Sequence, residues 1–148
     1  MKAIRIHRHG NVDVLQIDEI EKPIPKADEI LIRMSAAALN HLDIWVRKGL
    51  PGVPLPIILG SDGVGIIEAI GKNVSGRYNF SIGDEVVIAP LRFCGHCENC
   101  KNGKENLCSE FGILGESRDG LMAEYVSIPA QSIVKKPIGI NLYEAAAY

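Results

Sequence analysis

The chain contains four cysteines, and all of them lie between positions 94 and 108. Cys94, Cys97, Cys100 and Cys108 are separated by gaps of two, two and seven residues. Disulfides usually join distant segments of proteins in oxidising compartments, and this N-terminus begins with a strand-like alternation instead of an export signal. The compact cluster therefore indicates a metal site. Four thiolates suit tetrahedral zinc and leave no open position, so the predicted zinc is structural.

Three other interpretations of the cluster stay open from the residues alone. The thiols could be reduced and unliganded. They could hold an iron–sulfur cluster, although bacterial ferredoxins place the fourth cysteine three residues after the third and before proline. Here seven residues separate Cys100 from Cys108, which precedes Ser109. His96 could serve as a ligand, although four thiolates already complete a tetrahedron.

Short apolar stretches separated by glycine and proline make up most of the chain. Seven of them have the alternation or the β-branched residues of strands, and they cover residues 2–7, 14–20, 29–36, 63–70, 85–89, 123–128 and 132–136. With fifteen glycines and eight prolines, this pattern favours a β-barrel or sandwich over a parallel sheet with crossover helices. The segments 22–28, 49–56 and 71–83 are predicted loops.

Two stretches are predicted to be helical. Residues 40–48 place several apolar side chains on one face, and Gly49 provides a stop. Asn141 begins the second helix, and Glu144 three residues later completes a capping box. Because the sequence ends soon after this helix begins, we expect residues 1–148 to be one domain of a longer protein.

Composition bears on the partners of the chain. Sixteen basic and eighteen acidic side chains give a net charge of -2 without a long run of either sign, which argues against nucleic acid or an anionic membrane as the main partner. No apolar stretch reaches the roughly 20 residues that a membrane-spanning helix needs. We therefore expect a cytoplasmic protein.

Four segments in sequence order resemble the zinc-containing alcohol dehydrogenases and quinone oxidoreductases, which form the medium-chain dehydrogenase/reductase family. They are 38–43 (ALNHLD), 60–67 (GSDGVGII, similar to the Gly-His-Glu-x-x-Gly signature), 83–87 (GDEVV) and the cysteine segment, similar to a structural-zinc lobe at about 92–110. The resemblance implies a mainly β, GroES-like β-barrel with a zinc lobe and a few short helices. It also implies a small-molecule substrate, NADPH or NADH as cofactor, a C-terminal dinucleotide-binding domain and a homo-oligomer when the protein is complete.

Departures from the family pattern favour one branch of it. Members with catalytic zinc have cysteine and histidine where this chain has Asn40 and Ser61, and these neutral side chains bind zinc weakly. Leu42 stands where many members carry a proton-relay hydroxyl. Asn40 followed by Asp43 resembles the quinone-oxidoreductase branch, which reduces activated double bonds with NADPH. The resemblance implies that four polar residues are catalytic: Asn40, Asp43, Ser61 and Asp62.

Structural roles remain open for these residues. Asn40 could cap the first predicted helix, Asp43 could be a favourable charge in its first turn, and Asp62 could be a buried carboxylate bonded to backbone amides. His41 lies where the family often contacts the cofactor pyrophosphate, but it could equally be a satisfied polar residue. An unusual metal site on His41, Asp43 and Asp62 is chemically possible. Trp45 is expected in the core or in a pocket wall.

These features predict the substrate-side domain of an NAD(P)(H)-dependent oxidoreductase of the quinone- or enone-reductase type. The glycines within 60–65 come nearest to a dinucleotide fingerprint, but Ile66 and Ile67 continue as a strand and not as a helix. The chain alone is therefore predicted to be inactive. The alternative is a free-standing GroES-like zinc-binding interaction module without catalysis.

Overall fold

The computed structural model describes residues 1–147. Within them the protein is mainly β, with ten strands and three short helices. The strands are β1 (Lys2–Ile6), β2 (Gln16–Glu19), β3 (Glu29–Ala38), β4 (Ile57–Ile58), β5 (Asp62–Ile70), β6 (Glu85–Ile88), β7 (Leu91–Arg92), β8 (Gly112–Ile113), β9 (Tyr125–Pro129) and β10 (Ile133–Lys135). The helices are α1 (His41–Lys48), α2 (Glu98–Lys101) and α3 (Leu142–Ala146).

Antiparallel pairing divides the strands among three sheets. The largest has the order β10-β6-β5-β3-β9, a second has β2-β1-β4, and the third pairs β7 with β8. A single bridge between Ala3 and Ala123 connects the second sheet to the segment before β9. The predicted mainly β class is confirmed, and the pairs among the described residues form separate sheets and not one closed ring.

All seven predicted strands are present, with ends that differ from the prediction by no more than two residues. The three strands that were not predicted, β4, β7 and β8, have two residues each, which is too short to show a period of two. Both predicted helices are present. Asn141 and Glu144 form the predicted capping box, in which each side chain accepts from the other residue's backbone amide at 2.9 Å.

The main core lies on one face of the five-stranded sheet. Ile30 and Ile32, two residues apart on β3, are fully buried there with Val86 of β6. The adjacent Val87 belongs instead to a cluster with Val64 and the alanines of α3. Because successive strand residues point to opposite faces, α3 covers the face opposite the main core.

Helix α1 is held by a second apolar cluster. Val46 is fully buried against β1 and β4 residues, with Leu42 partly buried beside it, as the helical period predicts. Trp45 is not in the core, because its position is rotated off the Leu42–Val46 face and 54% of it is exposed. The centroid of its ring instead lies 4.9 Å from that of His41, with the two rings in an edge-to-face arrangement. Trp45 also borders a shallow depression next to Pro51. No helix within residues 1–147 combines the length and apolar character needed to cross a membrane.

Replacing Ile32 with Ala should lower the free energy of unfolding by about 2–5 kcal/mol, because it removes buried methyl groups from a close-packed strand. Ile24, which is 87% exposed, provides the matched control. Ile24→Ala should change stability by no more than about 0.5 kcal/mol. Urea denaturation followed by circular dichroism would measure both, and equal losses would contradict this assignment of the core.

Candidate functional site

The four cysteines come together in the lobe between β7 and β8. Their sulfurs all lie within 4.8 Å of one another. Cys100 Sγ is 3.9 Å from Cys94 Sγ and 3.5 Å from Cys97 Sγ. A tetrahedral zinc with Zn–S bonds of about 2.3 Å holds its sulfurs about 3.8 Å apart. The arrangement therefore fits a four-thiolate metal site, and Cys108, which is buried, closes its inner side.

Backbone amides point at these sulfurs. The amides of His96 and Cys97 donate to Cys94 Sγ at 3.5 and 3.3 Å, and those of Cys94 and Glu110 donate to Cys108 Sγ at 3.4 and 3.3 Å. The hydrogen bond from His96, followed by that from Cys97, lowers the pKa of the Cys94 thiol from 9.0 to about 6. Amide donors stabilise the charged form, as a metal-binding thiolate requires.

Cys100 has the opposite electrostatic environment. Burial is the first cause that raises the pKa of its thiol from 9.0 to about 12, and the neighbouring cysteines raise it further. Three further thiols around an unpaired thiolate disfavour its charge, whereas a divalent cation at their centre would deprotonate it. The chemistry of the donor set, as well as its geometry, therefore suits a cation.

His96 is exposed, and its Nδ1 lies 3.0 Å from the carbonyl oxygen of Cys94. It could also form a three-residue group with Cys94 and Glu110, but that group shares its only thiol with the four-cysteine set. The lobe is fastened to the sheet by Gln131, whose Nε2 donates to Phe93 O at 2.7 Å.

A second cluster of polar residues lies where α1 begins and β5 begins. Asp43 is only 5% exposed, and both of its carboxylate oxygens are bonded to backbone. Oδ2 accepts from the amide of Asn40 at 2.7 Å, and Oδ1 accepts from the amide of Gly60 at 2.9 Å. Asp43 is thus a buried group that ties the helix start to the turn before β5, and not simply a charge in the first helical turn.

Asn40 and Asp62 form a side-chain pair beside this tie. Asn40 is the N-cap residue of α1, and its Nδ2 donates to Asp62 Oδ2 at 2.6 Å. Asp62 is only partly buried. The alternative in which Asp62 is a buried carboxylate bonded to backbone amides therefore does not hold for Asp62, although it describes Asp43.

The other two predicted site residues are placed differently. Ser61 is buried, and its Oγ donates to the carbonyl oxygen of Leu114 at 2.8 Å. His41 is exposed on the first turn of α1 and contacts the Trp45 ring. Within residues 1–147, every group of three or more potential metal ligands lies in the cysteine lobe, so His41, Asp43 and Asp62 are not gathered as a metal site.

A cavity of about 520 Å³ opens beside Asn40, His41 and Asp43. Its remaining walls are mostly apolar and come from five separate segments: Ile4, Val12, Leu15, Leu39, Ile44, Arg47, Leu59 and Met122. The size lies within the range of small-molecule sites. Sequence reasoning missed this cavity, since only the tertiary fold brings these segments together.

No dinucleotide cradle is found in the described part of the chain. The glycines within 60–65 lead into β5, as the following isoleucines predict, and a fingerprint of this kind requires a helix there.

Comparisons with known proteins agree with this architecture. The family model for the alcohol dehydrogenase GroES-like domain matches residues 26–138. An alcohol dehydrogenase of Geobacillus stearothermophilus is 40% identical over 135 residues, which are 89% of this chain and 39% of the relative. An acryloyl-coenzyme A reductase of Sulfurisphaera tokodaii is 36% identical over 140 residues, covering 94% and 40%. A solved NAD-dependent alcohol dehydrogenase superimposes with a TM-score of 0.92 at 46% identity, covering 100% of this chain and 43% of that one. The chain thus spans about two fifths of the length of these relatives.

Replacing Asp43 with Asn should destabilise the protein by about 1–3 kcal/mol, because one of the two bonded amides would then face an NH₂ group. Asp13→Asn removes the same charge from an exposed carboxylate paired with Arg8 and is the matched control. Its expected cost is within about 1 kcal/mol. Chemical denaturation of both variants would measure the difference, and similar stabilities would show that the Asp43 tie is not important for folding.

Proposed function

Because the chain belongs to the alcohol dehydrogenase GroES-like domain family and corresponds to the N-terminal domain of alcohol dehydrogenase-like oxidoreductases, we propose that it forms the substrate-side half of an NAD(P)H-dependent reductase of activated double bonds, such as those of enones and quinones. The observation that carries this proposal is the hydrogen bond between Asn40 and Asp62. Asn40 stands at one of the two positions where the resemblance puts a ligand of a catalytic zinc, and Asp62 follows Ser61, which stands at the other.

Three features support chemistry without a catalytic metal. Asn40 and Ser61 offer an amide and a hydroxyl, which bind zinc weakly. The Ser61 hydroxyl is already donated to a backbone carbonyl, and both Asp43 oxygens accept from backbone amides. Turning these groups towards a metal would leave the carbonyl oxygen of Leu114 and the backbone amides bonded to Asp43 without their partners, which is costly. Reduction of a conjugated double bond needs a polarised carbonyl, and a hydrogen-bond donor can supply that polarisation.

Each residue then has a distinct role. The second N–H of the Asn40 amide is the donor that orients the substrate carbonyl, because Asp62 accepts the first. Asp62 acts as a positioning residue that fixes the amide, and Asp43 holds the backbone on which Asn40 stands. Ser61 anchors the start of β5. His41, exposed at the rim, is placed to contact the cofactor.

The nicotinamide, held by another part of the protein, would supply a hydride to the β-carbon, and a proton from solvent would complete the saturated product. The printed name of the Sulfurisphaera tokodaii relative describes reduction of such a conjugated bond. The competing proposal is a free-standing binding module. It is favoured only by the missing dinucleotide cradle within residues 1–147, and a nucleotide-binding domain in the same reading frame would exclude it.

We also propose that Cys94, Cys97, Cys100 and Cys108 hold one structural zinc per chain. Elemental analysis of the purified protein should give about one zinc and negligible iron. Cys97→Ser should expose the segment between Arg92 and Glu110 to limited proteolysis, since metal binding and folding of such a lobe are linked. Cleavage at Arg77, which is exposed in the loop 71–83, is the internal reference. Abundant iron with a visible absorbance band that bleaches on reduction would contradict the assignment.

The protein of the complete reading frame should reduce enones or quinones with NADPH or NADH, and treatment with a chelator that spares the lobe zinc should leave this activity unchanged. The 148-residue chain alone should show neither reduction nor micromolar NADPH binding, because one wall of a cleft cannot orient the reactants or exclude water.

Steady-state assays with quinone, enone and alcohol panels, together with calorimetry of NADPH into the chain, would measure these properties. Asp62→Asn should lower kcat more than it raises KM. The variant weakens the hydrogen bond that fixes the Asn40 amide, and the amide would then orient the substrate carbonyl less well. Alcohol oxidation that is lost on chelation and restored by zinc would overturn the proposed metal-independent chemistry.

A further inference from the structure

Two groups of potential metal ligands overlap at Cys94. The first is the four-cysteine set, which includes Cys108, a residue that is only 6% exposed. The second consists of Cys94, His96 and Glu110, whose ligand atoms also lie within 4.8 Å of one another. We call these three residues the outer group. His96 and Glu110 are exposed and Cys94 is half-buried, so the outer group is open to solvent, whereas the four-cysteine set reaches into the lobe.

The backbone of the lobe places the outer group next to the sulfurs. Gly95 has a φ of +75°, which turns the chain so that the amide of His96 donates back to Cys94 Sγ at 3.5 Å. Glycine adopts such a φ readily and other residues do so rarely. At the far end of the lobe, the amide of Glu110 donates to Cys108 Sγ at 3.3 Å. Both members without a thiol are therefore held beside the four-cysteine set by their own amides.

The side chains of the outer group are available to a metal. His96 Nδ1 lies 3.0 Å from the carbonyl oxygen of Cys94, which leaves its other ring nitrogen for a further partner. Glu110 bonds to the sulfurs through its amide, and no residue within 1–147 takes up its carboxylate oxygens. The ligand atoms of a tetrahedral zinc lie closer together than 4.8 Å, and exposed side chains can close this gap by rotation.

The ligand types of the outer group suit a zinc ion that does not stay. Zinc binds thiolate, imidazole and carboxylate, and three protein ligands leave a coordination position open to water or to another ligand. The Cys94 thiolate and the Glu110 carboxylate carry negative charge that attracts a cation from solution. The four-thiolate site is closed, and its buried Cys108 cannot be the first ligand that an ion from solvent meets. An exposed set that shares one thiol with it offers a stepwise route.

We propose that Cys94, His96 and Glu110 form an exchange site through which a zinc ion enters and leaves the lobe. On entry, the ion is first bound by the outer group. It then stays bonded to Cys94 while its bonds to His96 and Glu110 break and bonds to the other three cysteines form, with the thiol protons passing to solvent. No electron is transferred. This inference rests on the proposed structural zinc, and it gives His96 and Glu110 a role that the closed site does not require.

The use of one path in both directions provides the test. A site used only in passage changes uptake and release by the same factor and leaves the dissociation constant unchanged. In the 148-residue chain, Glu110→Gln and His96→Gln should therefore each slow zinc uptake and zinc release several-fold. Glu98→Gln is the matched control, because it removes the same charge from an exposed carboxylate of the same lobe that belongs to neither ligand group. It should leave both rates close to those of the parent chain.

Three measurements on each variant are needed. Uptake is followed by stopped flow, in which zinc sulfate is mixed with the zinc-free chain and the ultraviolet absorbance of zinc–thiolate bonds is recorded. Release is followed from the zinc-loaded chain as transfer to the chromogenic chelator pyridylazoresorcinol, with the rate extrapolated to zero chelator. Competition with chelators of known affinity gives the dissociation constant. An unchanged dissociation constant also shows that the lobe of the variant folds, since metal binding and folding are linked.

The outcomes separate the exchange site from the structural zinc. Slower uptake and slower release at unchanged affinity would support the exchange site. Unchanged rates in both variants would overturn it and leave the structural zinc intact, and so would an equal slowing by Glu98→Gln, which would assign the effect to the general charge of the lobe. Weaker affinity with faster release would mean that His96 or Glu110 holds the final ion, which also contradicts the inference. A parent chain that takes up no zinc would refute the structural zinc and the exchange site together.

Discussion

The buried carboxylate of Asp43 is the interaction on which the arrangement of the candidate site depends. Its two oxygens accept from the amides of Asn40 and Gly60, which are 20 residues apart in sequence, and so fix the start of α1 against the turn before β5. Hydrogen bonds to a charged acceptor are stronger than neutral ones, and leaving one of these amides unpaired would be costly. Beside this tie, Asn40 Nδ2 lies 2.6 Å from Asp62 Oδ2.

Much of the fold could be predicted, because each long strand carries its own signal. Residues 29–36 and 63–70 have enough β-branched residues and bounding turns to define β3 and β5 without knowledge of their partners. The short strands β4, β7 and β8 are defined by pairing with other strands: β4 pairs with β1, and β7 pairs with β8. Two residues are too few to show a strand pattern in the sequence, so these strands could not be predicted from it. Trp45 shows a different limit. It was expected in the core or in a pocket wall, but its position on α1 points it away from the Leu42–Val46 face, and 54% of it is exposed.

The candidate site was predictable in composition but less so in geometry. The spacing of the cysteines was sufficient to predict a cluster, because all four lie within 15 residues and no distant segment is needed to bring their sulfurs together. Asn40 and Asp43 could be selected through the family resemblance, yet their partners lie 22 and 17 residues away. No periodicity indicates such pairs. The buried, backbone-bonded role considered for Asp62 therefore belongs to Asp43, while Asp62 pairs with the Asn40 side chain. The cavity beside Asn40, built from distant segments, had no sequence signal.

The cysteine lobe and the candidate site are physically joined at one place. Ser61 donates to the carbonyl oxygen of Leu114, the residue that follows β8 at the base of the lobe, and the amide of Leu114 donates to Pro90 O before β7. Next to Leu114, a side chain at Gly115 would meet the backbone of Gly60 at 2.8 Å, so this approach requires glycine. Both ends of the lobe are thereby held against the turn at Gly60, the residue whose amide donates to Asp43. The proposed metal site would thus contribute to the arrangement of the candidate site, because a rigid lobe would hold Ser61 and Gly60 in place, and the amide of Gly60 in turn bonds the Asp43 carboxylate that accepts from Asn40.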